Sequence, residues 1–249
     1  MKARNLLLAL SMMGSAAFAH ADNWSWGDVS ANYLDWSSRT TGQSGKKDFA
    51  YLELEGGMGG QWGELYGFFD LENPGKSGNG QEGHDQRYTT KAIARFNMTR
   101  IGDVPVQLYA HVYDTRGNEF FTQNRVLGLG TDLKFGNLTI KPFIGAHNEL
   151  DAFGVNSGFN GWMAGYVLLY PFSAFGQSFL VSQWHETEFA RKDKFTPNYN
   201  SHTGQNGAIA LWWNVSKHFT TGVQYRYADQ KLGTSVYQNA MIYSAKYNF

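Results

Sequence analysis

Val104-Pro105-Val106-Gln107-Leu108-Tyr109-Ala110-His111-Val112-Tyr113 decides the fold class of this chain. Val104, Val106, Leu108, Ala110 and Val112 share one parity, while Gln107, Tyr109, His111 and Tyr113 share the other. Successive side chains of a strand point to opposite faces, so the run predicts a strand with one apolar and one polar wall. Working outward, the same alternation recurs. Val29, Ala31 and Tyr33 oppose Asp28, Ser30 and Asn32. Ala50, Leu52 and Leu54 oppose Tyr51, Glu53 and Glu55. Leu65, Phe69 and Leu71 oppose Glu64, Tyr66, Asp70 and Glu72. Phe219, Val223, Tyr225 and Tyr227 oppose His218, Thr220, Gln224 and Arg226. Four aromatic or aliphatic residues, Trp36, Phe68, Ile93 and Phe143, break the rule by falling on the polar face, and residues 161–172 are apolar on both.

The connections between these segments alternate in length. Polar stretches at 38–46, 73–86, 114–124, 147–160, 186–206 and 229–239 are long; turns near 58–63, 99–103, 134–137, 171–177 and 215–218 are short. Six long loops and five short turns separate about twelve strands of a length that crosses a bilayer. Long loops at one end and short turns at the other are the asymmetry of outer-membrane barrels, and they put both termini in the periplasm. The fold predicted is all-β: a transmembrane antiparallel β-barrel over residues 22–249, embedded in outer-membrane lipid and lipopolysaccharide. A soluble β-sandwich or lipocalin-like barrel has no need of six long loops at one end.

Residues 1–21 read as a cleaved signal peptide. Lys2 and Arg4 form a basic start, Leu6 to Met13 an apolar run, and Ala19-His20-Ala21 a cleavage site, so the mature chain starts at Asp22. Cleavage takes Lys2 and Arg4 from 21 basic residues and none from 21 acids, leaving a net charge of −2. That balance excludes a nucleic-acid partner, which requires a concentrated basic surface. There is no cysteine, so no disulfide holds the chain together. After residue 21 there is no apolar run of the length a membrane helix needs. Yet 16% of residues are aromatic, the residue class enriched where a barrel meets the two membrane interfaces. The mean hydropathy of −0.42 is no objection, because alternation hides an apolar exterior from any running average. The last strand alternates Met241, Tyr243, Ala245, Tyr247 and Phe249 with Ile242, Ser244, Lys246 and Asn248 and stops on an aromatic residue.

Tyr51-Leu52-Glu53-Leu54-Glu55, Leu65-Tyr66-Gly67-Phe68-Phe69-Asp70, Arg95-Phe96, Tyr113-Asp114, Gly128-Leu129-Gly130-Thr131-Asp132 and Tyr247-Asn248-Phe249 stand in this order. Together they resemble the nucleoside-specific channel-forming (Tsx-like) family and, within it, the OmpK-type outer-membrane proteins of Gram-negative bacteria. The closing Tyr-Asn-Phe resembles the assembly signal of such barrels. The resemblance implies a narrow, monomeric twelve-stranded barrel that passes nucleosides passively. It also implies use as a bacteriophage receptor, as for some OmpK-type members. No cofactor is implied.

The residues themselves suggest compatible chemistry. A nucleoside joins a flat base to a hydroxylated sugar, so a selective channel needs aromatic faces and paired donors and acceptors. The polar faces supply Tyr51, Tyr66, Tyr109 and Tyr113 beside Glu53, Glu55, Asp70, Glu72, Lys91, Arg95, His111 and Arg226. The bland alternatives are that Glu53, Glu55 and Arg95 form an ion-pair network holding the wall, that the tyrosines pack, and that His111 is structural. Two other functions stay open. An outer-membrane enzyme would use His185-Glu186-Thr187-Glu188 and Asp193, read as charge near the outer rim without metal-ligand spacing. A non-selective porin or a surface receptor is the other. The Gly-Gly-Met-Gly-Gly stretch at 56–60 lacks the helix and lysine of a phosphate loop and fits a strand end.

Overall fold

A computed structural model of the protein describes residues 23–76, 85–117, 120–151 and 156–249. The export segment read at residues 1–21 lies outside them, as do the tips of several loops. The strands are β1 (Trp24–Trp36), β2 (Phe49–Gly60), β3 (Gly63–Glu72), β4 (Arg87–Ile101), β5 (Val104–Arg116), β6 (Phe121–Gly130), β7 (Leu133–Phe135), β8 (Leu138–Asp151), β9 (Asn156–Ala174), β10 (Gln177–Phe189), β11 (Gly204–Asn214), β12 (Phe219–Asp229) and β13 (Gln238–Asn248). Each pairs antiparallel with its neighbour, and β1 pairs with β13 from Asp28↔Asn248 to Trp36↔Ala240, so the sheet closes. β6 and β7 both pair with β8 and are one wall strand interrupted at Thr131–Asp132, which leaves twelve wall positions. Closure removes every free sheet edge.

The alternation read from sequence is the alternation observed. Along β1, Asp28, Ser30, Asn32, Leu34 and Trp36 are buried, while Val29, Ala31, Tyr33 and Asp35 are exposed. The exposed face carries Leu52, Leu65, Leu108, Leu127, Ile144 and Leu211, with Leu127 60% accessible. In water, apolar area costs about 25 cal/mol per Å². A continuous belt of this kind calls for hydrocarbon around it. Among the described residues no helix is long and apolar enough to cross a membrane, so crossing falls to the strands. At the short-turn end, outward aromatics such as Phe96, Phe219 and Tyr247 edge the belt. The C-terminal Phe249 is tied there, its backbone N–H donating to the Gly27 carbonyl at 3.0 Å.

Two of the six long loops read from sequence are mostly strand. Residues 114–116 continue β5 and 121–124 continue β6, leaving only 117–120 as the connection. The polar residues that suggested a loop bond to one another along these strand ends instead. Asp114 accepts from Arg116 at 2.6 and 2.9 Å and from Gln123 at 2.6 Å. Likewise β8 runs to Asp151 and β9 starts at Asn156, so 147–160 shrinks to 152–155. The loop assigned to 186–206 starts later too, because β10 continues to Phe189. The first loop instead holds a short helix, α1 (Ser38–Ser44), capped by Ser37, whose side chain accepts from the Thr40 N–H, and ended by Gly45 at φ 68°.

A bulge stands at the start of the stretch that resisted assignment. Ala146 pairs with Trp162 but Asn148 with Phe159, so Asn160 and Gly161 together oppose His147. The extra residue reverses the parity of β9. Phe159 and Trp162, three apart, both face outward, while Asn160 and Met163 are buried. Gly161 has φ +81°, and a Cβ there would lie 2.4 Å from the Ala190 and Phe189 carbonyl oxygens. Such a bulge is a place for glycine.

Candidate functional site: a lumen clasped by ion pairs

The inward face of β4 organises the interior. Lys91 on β4 ion-pairs with Glu186 on β10, five positions away on a ring of twelve. Lys141 on β8 pairs with Glu64 on β3, four positions away. Partners so far apart in the sheet meet only by reaching across the lumen, so these two pairs are struts.

On one side of the struts the interior is packed solid. Tyr109 stacks on Phe143 with ring centroids 4.2 Å apart, and Val126, Met163 and Ile93 complete an apolar cluster. The ring of Phe143 lies over Gly165, where a Cβ would come within 2.8 Å of it. Arg95 lies over Tyr109, its Cζ 4.8 Å from the ring centroid. Its guanidinium donates to the Lys141 carbonyl at 3.0 Å and the Pro142 carbonyl at 3.3 Å, and pairs with Glu64 at 3.3 Å. The Tyr109 hydroxyl bonds His111 Nδ1 at 2.9 Å. Arg95, Tyr109 and His111 keep 2% or less of their surface, so they are enclosed parts of this half.

On the other side the lining is ionic: Asp28, Ser30 and Lys246 are buried, and Glu53, Glu55, Tyr66 and Asp70 are half-buried. Lys246 Nζ stands 2.6 Å from Glu55, 3.4 Å from Asp28 and 4.0 Å from Glu53. Ser30 Oγ donates to Glu53 at 3.4 Å, and Asp70 is Glu53's cross-strand partner. One ammonium thus faces several carboxylates. The Tyr66 hydroxyl donates to Glu55 at 2.5 Å, and its ring continues a series with Trp26 at 6.2 Å and Phe68 at 6.4 Å. Trp26 shares the inward parity of Asp28 at the short-turn mouth. Higher up, Glu72 accepts from Arg87 at 2.7 Å and Thr89 at 2.7 Å. The Tyr113 hydroxyl accepts from Thr115 at 3.1 Å. Tyr51 packs on Phe49, centroids 5.8 Å apart. Arg226 lies over Trp184, Cζ to centroid 5.4 Å, and Lys91 approaches the same ring at 5.7 Å.

All the site residues named from sequence therefore stand on inward positions, but in two settings. Arg95, Tyr109 and His111 belong to the packed half; Tyr51, Glu53, Glu55, Tyr66, Asp70, Glu72, Lys91, Tyr113 and Arg226 line or cross the rest. Sequence reading missed Glu64, Lys141, Trp184, Lys246, Glu186 and Glu188. Lys246 and Glu64 carried a signal, since both fall on the polar parity of strands already recognised. Glu186 and Glu188 require a correction. They are not rim charge but inward residues of β10, Glu188 holding Lys231 and Arg191, the latter at 2.6 Å. His185 faces outward, bonding Tyr227 at 2.8 Å, and Asp193 is 98% accessible on a 3-10 turn. The stretch is thus divided between the two faces of the wall.

Among the described residues, two groups bring possible metal ligands within 4.8 Å: His147 with Glu149 and Glu188, and Asp28 with Glu53 and Glu55. In both, protein cations already stand against the carboxylates: Lys231 and Arg191 in the first, Lys246 in the second. In the first group two cations face two carboxylates; in the second a single ammonium faces three.

Residues 31–249 match the family described as nucleoside-specific channel-forming protein, Tsx. The chain belongs to that family. Solved structures agree on the fold. A KdgM porin in complex with disordered oligogalacturonate superposes with a TM-score of 0.50 at 10% identity, covering 91% of this chain and 99% of the other. A NanC porin gives 0.51 at 8% identity, covering 88% and 98%. The Tsx-family match and the porin barrels together establish an outer-membrane channel, with small solutes as what it passes.

Proposed function

We propose that this Tsx-family barrel is a channel for passive, selective diffusion of nucleosides. The observation that carries the reading is the composition of the half-lumen left beside the struts. Aromatic faces (Trp26, Tyr66, Phe68) run along one wall next to carboxylates, with Trp184 and Arg226 opposite. Stacking of a base on an aromatic ring is worth about 1–3 kcal/mol, enough to attract and too little to trap. Several such weak sites in series let a solute enter and leave. Glu53, Glu55 and Asp70 supply acceptors for ribose hydroxyls, and the struts narrow the passage so that contact is unavoidable. The paired strands leave no free edge for a second chain to extend, which is compatible with a monomer. The splitting of His185, Glu186 and Glu188 across the wall supports a channel over a catalyst.

Reconstituted protein in liposomes, offered adenosine or thymidine against sugars of similar size, tests the proposal. Nucleosides should enter faster, and Tyr66→Ala and Glu55→Gln should reduce that preference while the barrel stays heat-modifiable on gels. Equal rates for nucleosides and sugars with the wild-type protein sink the selective reading.

A further inference from the structure

The inward cations of this barrel follow a rule with two exceptions. Arg87, Lys91, Arg95, Lys141, Arg191, Lys231 and Lys246 each have a carboxylate within 4.0 Å. Arg226 and Lys46 do not, among the described residues. Arg226 lies over the ring of Trp184, and among the described residues its guanidinium has no hydrogen-bond acceptor. Lys46, between α1 and β2, donates only to the Leu232 carbonyl at 3.0 Å. The two are brought together: Lys46 is held at Leu232, which packs on the cluster containing Ala240, the cross-strand neighbour of Arg226. Burial and then the charges of Arg87 and Arg226 push the Lys46 ammonium down to about 8, with Glu72 opposing. Glu72 is already engaged by Arg87 and Thr89. Among the described residues, the other inward cations are balanced and these two stand together at the loop end.

We infer that Arg226 and Lys46 form an anion subsite that takes the phosphate of a nucleoside monophosphate, with the base on the lumen aromatics. This rests on the nucleoside reading and extends it to the phosphorylated form of the same solute. A guanidinium offers a fork of donors matched to phosphate oxygens, and a lysine adds a point charge. Trp184 holds the Arg226 plane from one side, which leaves the fork free to turn toward the lumen. The neighbours of Arg226 in the sheet are Ala208 and Ala240, side chains too small to obstruct it. Bringing a dianion to two unpaired cations relieves their mutual repulsion, so the subsite is stabilised by what it binds.

The test is block of single-channel current in planar bilayers at low salt by adenosine, adenosine monophosphate and ribose 5-phosphate. The monophosphate should block at roughly tenfold lower concentration than adenosine, the equivalent of about 1.4 kcal/mol. The advantage should shrink as salt rises, since screening shortens to about 3 Å at 1 M. Arg226→Gln should bring the ratio of the two blocking concentrations close to one, and Arg226→Lys should keep part of it, folding being checked by heat-modifiability. Block by both phosphates with adenosine inert supports the subsite and removes the nucleoside reading. The inference is overturned if the wild-type channel shows no advantage for the monophosphate, or if Arg226→Gln, folded, retains all of it.

Discussion

Cutting the Lys91–Glu186 strut separates what it does for stability from what it does for the pore. Each side chain keeps only about a tenth of its surface, 12% for Lys91 and 11% for Glu186. Lys91→Ala removes one partner and leaves Glu186 without its cation, and such breaks cost about 3–5 kcal/mol for a buried pair. The residual water contact places this one near 3 kcal/mol. Lys91→Ala/Glu186→Ala leaves no charge unpaired, so the double variant should be less destabilised than the sum of the two single ones. That non-additivity is the signature of a direct pair. Conductance should move differently. Both variants carrying Lys91→Ala lose the arm that crosses the lumen, so each should conduct more than wild type whatever its stability. Unfolding of the detergent-solubilised barrel followed by gel shift gives the first quantity, and single-channel recording the second. A folded double variant with wild-type conductance would refute the reasoning, because the strut would then not bound the passage.

Three further outcomes are expected. Gly161→Val should destabilise the barrel by at least about 1–3 kcal/mol, the cost of holding a side chain at a left-handed position, seen as a lower gel-shift temperature. Deleting Phe249 removes the N–H bonded to Gly27 and should lower the yield of folded barrel in the membrane; unchanged yield would strip the last residue of that role. Lys46 has a folded pKa of about 8 against 10.5 unfolded, so between those values the unfolded chain holds more protons and stability should rise with pH. The charges that face it are Arg87, Arg226 and Glu72, and Lys46→Met should abolish the slope.

The fold was legible because lipid imposes period two on every strand, and a pattern so simple survives many local exceptions. Asp28 to Tyr33 and Val104 to Tyr113 could be assigned face by face without any partner strand. Where legibility failed, the causes are local and physical. The bulge at Gly161 reverses parity inside a strand, which no periodic template accommodates, and this hid the inward Met163 and the outward Phe159. Strand ends that rise beyond the apolar belt become polar on both faces, so 114–116 and 121–124 read as loop. The same effect hid Glu186 and Glu188. As for the site, parity told which residues face inward, but not which of them meet, because a strut such as Lys141–Glu64 joins residues 77 apart in sequence.

The four exceptions to polar parity bear on how the lumen is divided. Phe143 and Ile93 sit in the packed half with Tyr109, whereas Trp36 joins Leu34, Phe49, Ala240 and Ile242 near the loop end of β1, β2 and β13. Apolar residues on an inward face are out of place in a water-filled pore, yet here they have each other. Packing them on one side removes that side from the pore, and the ion-pair struts fix the boundary, since a charged pair resists the sliding that an apolar contact permits. A twelve-position barrel is thus made to behave as a narrower one, asymmetric in section. The aromatic series of Trp26, Tyr66 and Phe68 lies outside the packed cluster, on the inward parity of β1 and β3. Phe68 belongs to neither cluster; it stands beside Tyr66, ring centroids 6.4 Å apart, where the proposed function would use it as a stacking surface.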